Sequence, residues 1–212
     1  HGYLERLNSD PSVSRIDSAP MLRGIITQIN GTPAHETAGD HWVLEGDRGI
    51  TYSTELPDNT RLLDGEWWET DYTGSPLVSF AAEEAEEMGL KLGDTLTVNI
   101  LGRDIEATIS SFREVDFSTA GIGFIMSMNP AALSGAPHSF ISTVYATPES
   151  EAQILRDLST AFPNITAFRV GLEQRELEYV VQVKGTTSAH PAEAAPVAPP
   201  YRGRGRPPKA RY

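Results

Sequence analysis

Leu77–Phe117 reads LVSFAAEEAEEMGLKLGDTLTVNILGRDIEATISSFREVDF. This stretch decides the fold, because it strings a strand, a short helix, a tight turn and a hairpin together with no long loop between them. Leu77, Val78 and Phe80 make a short apolar run. Ala81 to Met88 then repeats Ala and Glu, with Leu90 closing the apolar face, as in a two-turn helix stopped by Gly89. Lys91-Leu92-Gly93-Asp94 is a turn. Thr95 to Ile100 and Ile105 to Ser111 both alternate, with Leu96, Val98 and Ile100 on one face, and they join across Gly102-Arg103 as a hairpin. The glutamates read as a solvated helix face, and nothing in the stretch has the form of a catalyst.

Outward from it, the chain alternates short apolar runs with turn residues. On the N-terminal side, Tyr3 to Leu7 reads as helix and Val13 to Ala19 as extended. Leu22 to Ile29 is a strand ending at Asn30-Gly31, and Thr32 to His41 is polar and exposed. Trp42-Val43-Leu44 and Ile50-Thr51-Tyr52 flank Glu45 to Gly49 as a two-strand ribbon, and Arg61 to Asp64 is a further extended piece before Gly65-Glu66-Trp67-Trp68. On the C-terminal side, Gly123 to Met128 is a strand, Pro130 to Leu133 a helical turn, and Ile141 to Ala146 a strand. A helix follows with Pro148 at its first position and Ile154, Leu155, Leu158, Ala161 and Phe162 as its stripe. Ile165 to Val170 completes a β-α-β unit with parallel strands and a right-handed crossover.

The fold class is therefore α+β. A discontinuous β-α-β part is built from residues 1–30 and 120–183, with a β-rich insertion at 31–119. Residues 184–212 form a basic tail whose Ala, Pro, Gly and Arg content predicts disorder.

A chain of 212 residues buries enough apolar surface to fold without staples, and it has no cysteine. Thiol catalysis, thiolate zinc and disulfide exchange are thereby excluded. The net charge of −12 divides unevenly: the tail from Lys184 has six Lys or Arg against Glu193, so it carries +5 and residues 1–183 carry −17. Such a body repels polyanions over about 10 Å at moderate salt. His1-Gly2-Tyr3-Leu4 is too polar for a targeting core, and the absence of an initial Met favours excision from a longer protein. Ser118 to Pro148 lacks any Lys, Arg, Asp or Glu, yet Asn129-Pro130, Gly135 and Pro137 interrupt it, which favours buried strands over a membrane span.

Candidate chemistry is sparse. Glu83, Glu84, Glu86 and Glu87 form one carboxylate run, and His35-Glu36 with Asp40-His41 another ligand-like group. Neither has the spacing of a calcium loop or zinc helix, so no metal and no cofactor is expected. Ser75 and Ser134 lack a nucleophile elbow, and Gly121-Ile122-Gly123 lacks the third glycine of a dinucleotide loop. Glu114 and Asp116 leave an acidic-pair hydrolase as an alternative. No catalytic residue is assigned, and the expectation is that the chain is not an enzyme. Trp67 and Trp68, if extended, point to opposite faces, one into the core and the other free to anchor a partner. Arg204-Gly205-Arg206-Pro207 matches the core of an AT-hook, so DNA association through Arg204 and Arg206 is a second alternative.

Five pieces together, Ala19-Pro20-Met21-Leu22-Arg23-Gly24, Glu45-Gly46-Asp47-Arg48-Gly49, Gly65-Glu66-Trp67-Trp68, Gly89-Leu90-Lys91-Leu92-Gly93-Asp94 and Phe112-Arg113-Glu114-Val115-Asp116, carry a resemblance. Over residues 3 to 170 the chain resembles the extracytoplasmic domain of FtsX-like ABC transporter permeases, most narrowly those of the YbbP type. The resemblance implies a MacB-type periplasmic core on the outer side of the bacterial inner membrane, between transmembrane helices that lie outside this sequence. It implies as partners the rest of the permease, its cytosolic ATPase and an envelope protein, lipoprotein or peptide. In such a domain ATP-driven movement, not chemistry, is the output. The family pattern continues after Val170 through a helix into the membrane, and here Gly171 to Val183 and the basic tail depart from it.

Overall fold

In the computed structural model the described residues are 2–58, 60–115, 122–133, 135–147, 149–162, 165–170 and 177–183. They are organised by one long strand. Helix α1 (Gly2–Asn8) leads into β1 (Val13–Ile29), a single 17-residue strand where two separate extended pieces were expected. Pro20 does not interrupt it, because its fixed φ is compatible with extended chain and it merely withholds one N–H while facing Phe140. Elements β2 (Thr32–Pro33), α2 (Ala34–Ala38), β3 (Arg48–Tyr52), β4 (Leu62–Gly65), β5 (Leu77–Ala81) and α3 (Ala82–Glu87) follow. Then come β6 (Thr95–Ile100), β7 (Arg103–Arg113), β8 (Met126–Met128), β9 (Ser139–Ala146), α4 (Glu151–Ala161), β10 (Ile165–Val170) and β11 (Leu177–Val183).

The strands form one mixed sheet in the order β10-β11-β9-β1-β3-β8-β5-β7-β4, with β6 pairing β1 and β7 and β2 pairing β1. Residues 13–21 of β1 lie antiparallel to β9, and residues 24–29 lie antiparallel to β6. At Gly24 the strand faces both Arg48 of β3 and Ile100 of β6. A Cβ there would sit 2.7 Å from Ile50 Cδ1 and 2.8 Å from Ile100 Cγ1, so a side chain at this position would have to displace the two isoleucines.

Two apolar clusters flank this sheet. The larger gathers Leu22, Ile26, Ile50, Phe80, Leu96 and Met126 among others, and the smaller gathers Tyr3, Leu7, Val144, Ile154, Leu158 and Ile165. The change from one to the other falls inside β1, between Ile16 and Leu22. Leu22 to Ile29 and Ile125 to Leu133, expected in the end-built part, thus contribute to the larger cluster. In the smaller cluster the Tyr3 hydroxyl shares a 2.8 Å hydrogen bond with Ser142 Oγ, which donates to Ser18 Oγ. Tyr3→Phe will lower stability by about 1 kcal/mol, read as a shift in urea midpoint at unchanged m-value.

Several expectations are corrected. Trp42–Leu44 is a 3-10 turn, not a strand, because the Arg48 guanidinium collects the carbonyls of Trp42, Val43 and Glu45 and curls the segment around itself. Segment 32–41 is not simply exposed, since Ala34 is buried and the His41 side chain is only 12% exposed. The strand expected over Gly123 to Met128 is confined to Met126–Met128. β9 and β10 run parallel, but β11 lies between them, antiparallel to both, so the β-α-β unit is split by a strand that was not anticipated. Pro148, Asp116, Gly121, Ser134 and the tail at 184–212 lie outside the described residues.

Candidate functional site

β4 is held on β7 through Leu62, Asp64 and Gly65, and the chain leaves the sheet at Gly65. Gly65 has φ +76°, and a Cβ there would stand 2.2 Å from Ser110 O and 2.8 Å from Ser111 Cα. The backbone of β7 is therefore approached as closely as a bare glycine permits, and Glu66 N donates to Ser110 O at 3.0 Å. Segment 66–69 is irregular, so strand alternation does not apply to it. Trp67 and Trp68 accordingly do not point to opposite faces: their rings lie against each other, with centroids 3.9 Å apart and planes 30° from parallel. Trp68 Nε1 donates to Ser53 O at 2.8 Å and Trp67 Nε1 to Thr54 O at 3.3 Å, which anchors both edges to the loop after β3. Trp68 is buried and Trp67 half-buried.

Together with Tyr72, Leu77 and Ser110 the two indoles line an open groove of about 400 Å³, rimmed by Glu66 and Glu69. Tyr72 is fixed by donating from its hydroxyl to Ser75 O at 2.8 Å. Ser110 Oγ is shielded from solvent and has no hydrogen-bond partner among the described residues. Trp67 and Trp68 were anticipated as candidates; Glu66, Glu69, Tyr72, Leu77 and Ser110 were not. One signal could have found the acids: between Arg61 and Lys91 the chain has eight Asp or Glu and no Lys or Arg.

A second polar group lies beneath α3. Arg113 is 5% exposed and donates from Nη2 to Phe124 O at 2.6 Å. Burial pulls its pKa down to about 10, partly offset by the field of Glu84. Glu84 is itself 6% exposed, which corrects the reading of the α3 glutamates as a uniformly solvated face. Burial, reinforced by Glu83 and Glu87 and opposed by a backbone hydrogen bond and by His41, raises its carboxyl above the usual range. The two ligand-like groups of the sequence do meet at one point, where His41 Nε2 lies 2.7 Å from Glu87 Oε2. Among the described residues no three His, Asp or Glu side chains gather where a metal could sit. Glu114 pairs with Arg61 at 3.6 Å, both exposed. His35 lies 3.6 Å from Asp40.

Two comparisons with known proteins bear on this geometry. The chain is 25% identical over 152 residues, 72% of its length, to a protein of Escherichia coli (strain K12) described as the uncharacterized ABC transporter permease YbbP. This is a distant relation, and the matched stretch spans 18% of that protein. Residues 147–212, under a third of the chain, match the family model described as DDE superfamily endonuclease. That match overturns the expectation that the chain is not an enzyme, since it links the C-terminal segment to a nuclease family. Arg204 and Arg206, the residues of the DNA-binding alternative, fall within it, outside the described residues. No helix among the described residues is long and apolar enough to cross a membrane.

Proposed function

We propose that residues 3–170 are the extracytoplasmic domain of an ABC transporter permease, relaying ATP-driven movement to, or binding, an envelope partner. The observation that carries this reading is the relation to the Escherichia coli permease over 72% of the chain. The fold supports it, because β1 joins both apolar clusters in one unbroken strand, so displacement at one end of the sheet is transmitted to the other. The complete permease, its ATPase and the nature of the cargo belong to this proposal.

The cysteine-free sequence allows a direct test. Leu101, 67% exposed at the tip of the β6–β7 hairpin, is replaced by Leu101→Cys in a chimera where the chain substitutes for the matching stretch of the Escherichia coli permease, made cysteine-free. A membrane-impermeant maleimide will label it in spheroplasts. Labelling only after detergent lysis would place the domain in the cytosol and reject the reading.

A second reading rests on the match of residues 147–212, which favours a nuclease role for that segment. An endonuclease acts on a phosphodiester, and carboxylates holding divalent metal are one general way to cleave it. Among the described residues of the segment, Asp157 is engaged by Arg6 at 2.8 Å and by Gln153 at 2.6 Å, and no three carboxylates converge. These described residues form no site for a divalent metal. Incubation of the full chain with supercoiled plasmid and Mg²⁺ or Mn²⁺ tests this reading: nicking abolished by chelation supports it, and intact plasmid rejects it.

A further inference from the structure

The groove at Trp67 and Trp68 has three properties that narrow what it can hold. First, its aromatic surface is preorganised: both indole N–H groups and the Tyr72 hydroxyl are already satisfied by backbone carbonyls, which fixes the ring edges before any ligand arrives. Second, its rim is anionic and uncompensated. Glu66 and Glu69 are exposed, and among the described residues neither belongs to an ion pair, while Arg61 is engaged with Glu114. Asp64 and Asp71, also exposed, add to the same field. Third, an apolar margin continues from it at Gly65. Leu92 Cδ2 lies 3.0 Å from the position of a Gly65 Cβ and Leu92 is 39% exposed, and Leu63, in β4 two residues before Gly65, is 51% exposed.

Aromatic faces bordered by carboxylates attract cations, above all guanidinium, which stacks on indole while its N–H groups reach the acids. The groove, about 400 Å³ and open to solvent, accommodates a side chain on an extended backbone. Anionic lipids and nucleic acid are repelled by the same rim. We infer that this groove binds an extended cationic peptide segment of a partner protein, an Arg or Lys seated over Trp67 between Glu66 and Glu69 and an aliphatic neighbour resting on Leu63 and Leu92. The inference supplies the partner-binding half of the permease reading with a site and a chemistry, and it rests on the groove itself.

The test uses the full chain and a fluorescein-labelled ten-residue peptide alternating Arg and Leu, with three comparison peptides: Glu for Arg, Ser for Leu, and a synthetic copy of residues 201–212. The Arg/Leu peptide is expected to bind most tightly. Trp67→Ala and the double variant Glu66→Gln/Glu69→Gln are each expected to weaken it by about tenfold, the worth of a desolvated cation–π contact and of its flanking charges. Trp42→Ala, at an exposed indole outside the groove, leaves binding unchanged. The glutamine variants alter only exposed side chains, so they report on binding even if Trp67→Ala unfolds. Equal affinity in the glutamine double variant, or equal affinity of the Arg/Ser peptide, reduces the effect to the overall negative charge and overturns the inference. Tighter binding of the 201–212 peptide would assign the groove to the chain's own basic tail and overturn the partner. Maleimide labelling addresses topology alone, so either proposal can fail without the other.

Discussion

Arg113→Met will destabilise the protein by about 3 kcal/mol or more at pH 8, measured by urea denaturation. Arg113 is nearly sealed, donates to Phe124 O at 2.6 Å, and supplies the positive field opposite Glu84. Methionine fills most of the volume but leaves the buried Phe124 carbonyl without its donor and removes the attraction between Arg113 and Glu84. The pH dependence has a definite sign. Glu84's carboxyl is raised above its ordinary value of 4.5, so the folded protein takes up a proton more readily than the unfolded one. The cost of burying the anion is present above the folded pKa and relieved as pH falls through it. The electrostatic part of the loss is carried by the Glu84 anion, so the loss should be smaller at low pH than at pH 8. Adding Glu84→Leu should recover part of the loss, since an apolar replacement removes both charges. An equal loss at both pH values, with no recovery in the double variant, would show that Glu84 and Arg113 do not act as a pair.

Gly65→Ala is the second large effect. The left-handed φ alone costs a side chain about 1–2 kcal/mol, and the new Cβ would meet Ser110 O at 2.2 Å, so β4 must separate from β7. A loss of at least about 2 kcal/mol is expected, together with increased solvent quenching of tryptophan fluorescence as Trp67 and Trp68 lose their anchorage to Ser53 O and Thr54 O. Alanine at Gly102, where φ is +82° but no atom lies within 4 Å, separates the two contributions because it carries the backbone strain without the collision. If both alanines cost the same and the fluorescence is unchanged, the close approach to β7 contributes nothing.

What could be read from the sequence follows from the range over which each cause acts. Thr95–Ile100 alternates, and periodicity was enough to place it in a hairpin, but the turn is Leu101-Gly102 and not Gly102-Arg103. Both turn residues have positive φ, and Arg103 already pairs with Ile100, so the second strand is Arg103–Arg113 and not Ile105–Ser111. Gly89 likewise marked the end of α3 and has φ +68°. Trp42–Leu44 was misread because three apolar residues fit a strand equally well, and the curl comes from the side chain of Arg48 rather than from their own pattern. Glu84 resembled its three acidic neighbours; its burial depends on packing near Arg113, far along the chain. Tyr179, Val180, Val181 and Val183 supply the β-branched and aromatic content of β11, so that strand is legible in the sequence. The groove was half visible: the paired tryptophans stood out, whereas Ser110 and Leu77 join them only through strand pairing with residues outside the segment.

The length of β1 has a consequence for how the molecule comes into being. Val13 is paired with Ala146, and Met21 with Ser139, so the first half of this strand meets its partner only after most of the chain has been synthesised. Until then a row of unsatisfied backbone groups waits in the nascent polypeptide, open to mispairing with other chains. Synthesis and folding are therefore out of step here. A chain shortened from its C-terminal end before β9 would keep an orphan edge along residues 13–21, and it should depend on chaperones to stay out of aggregates.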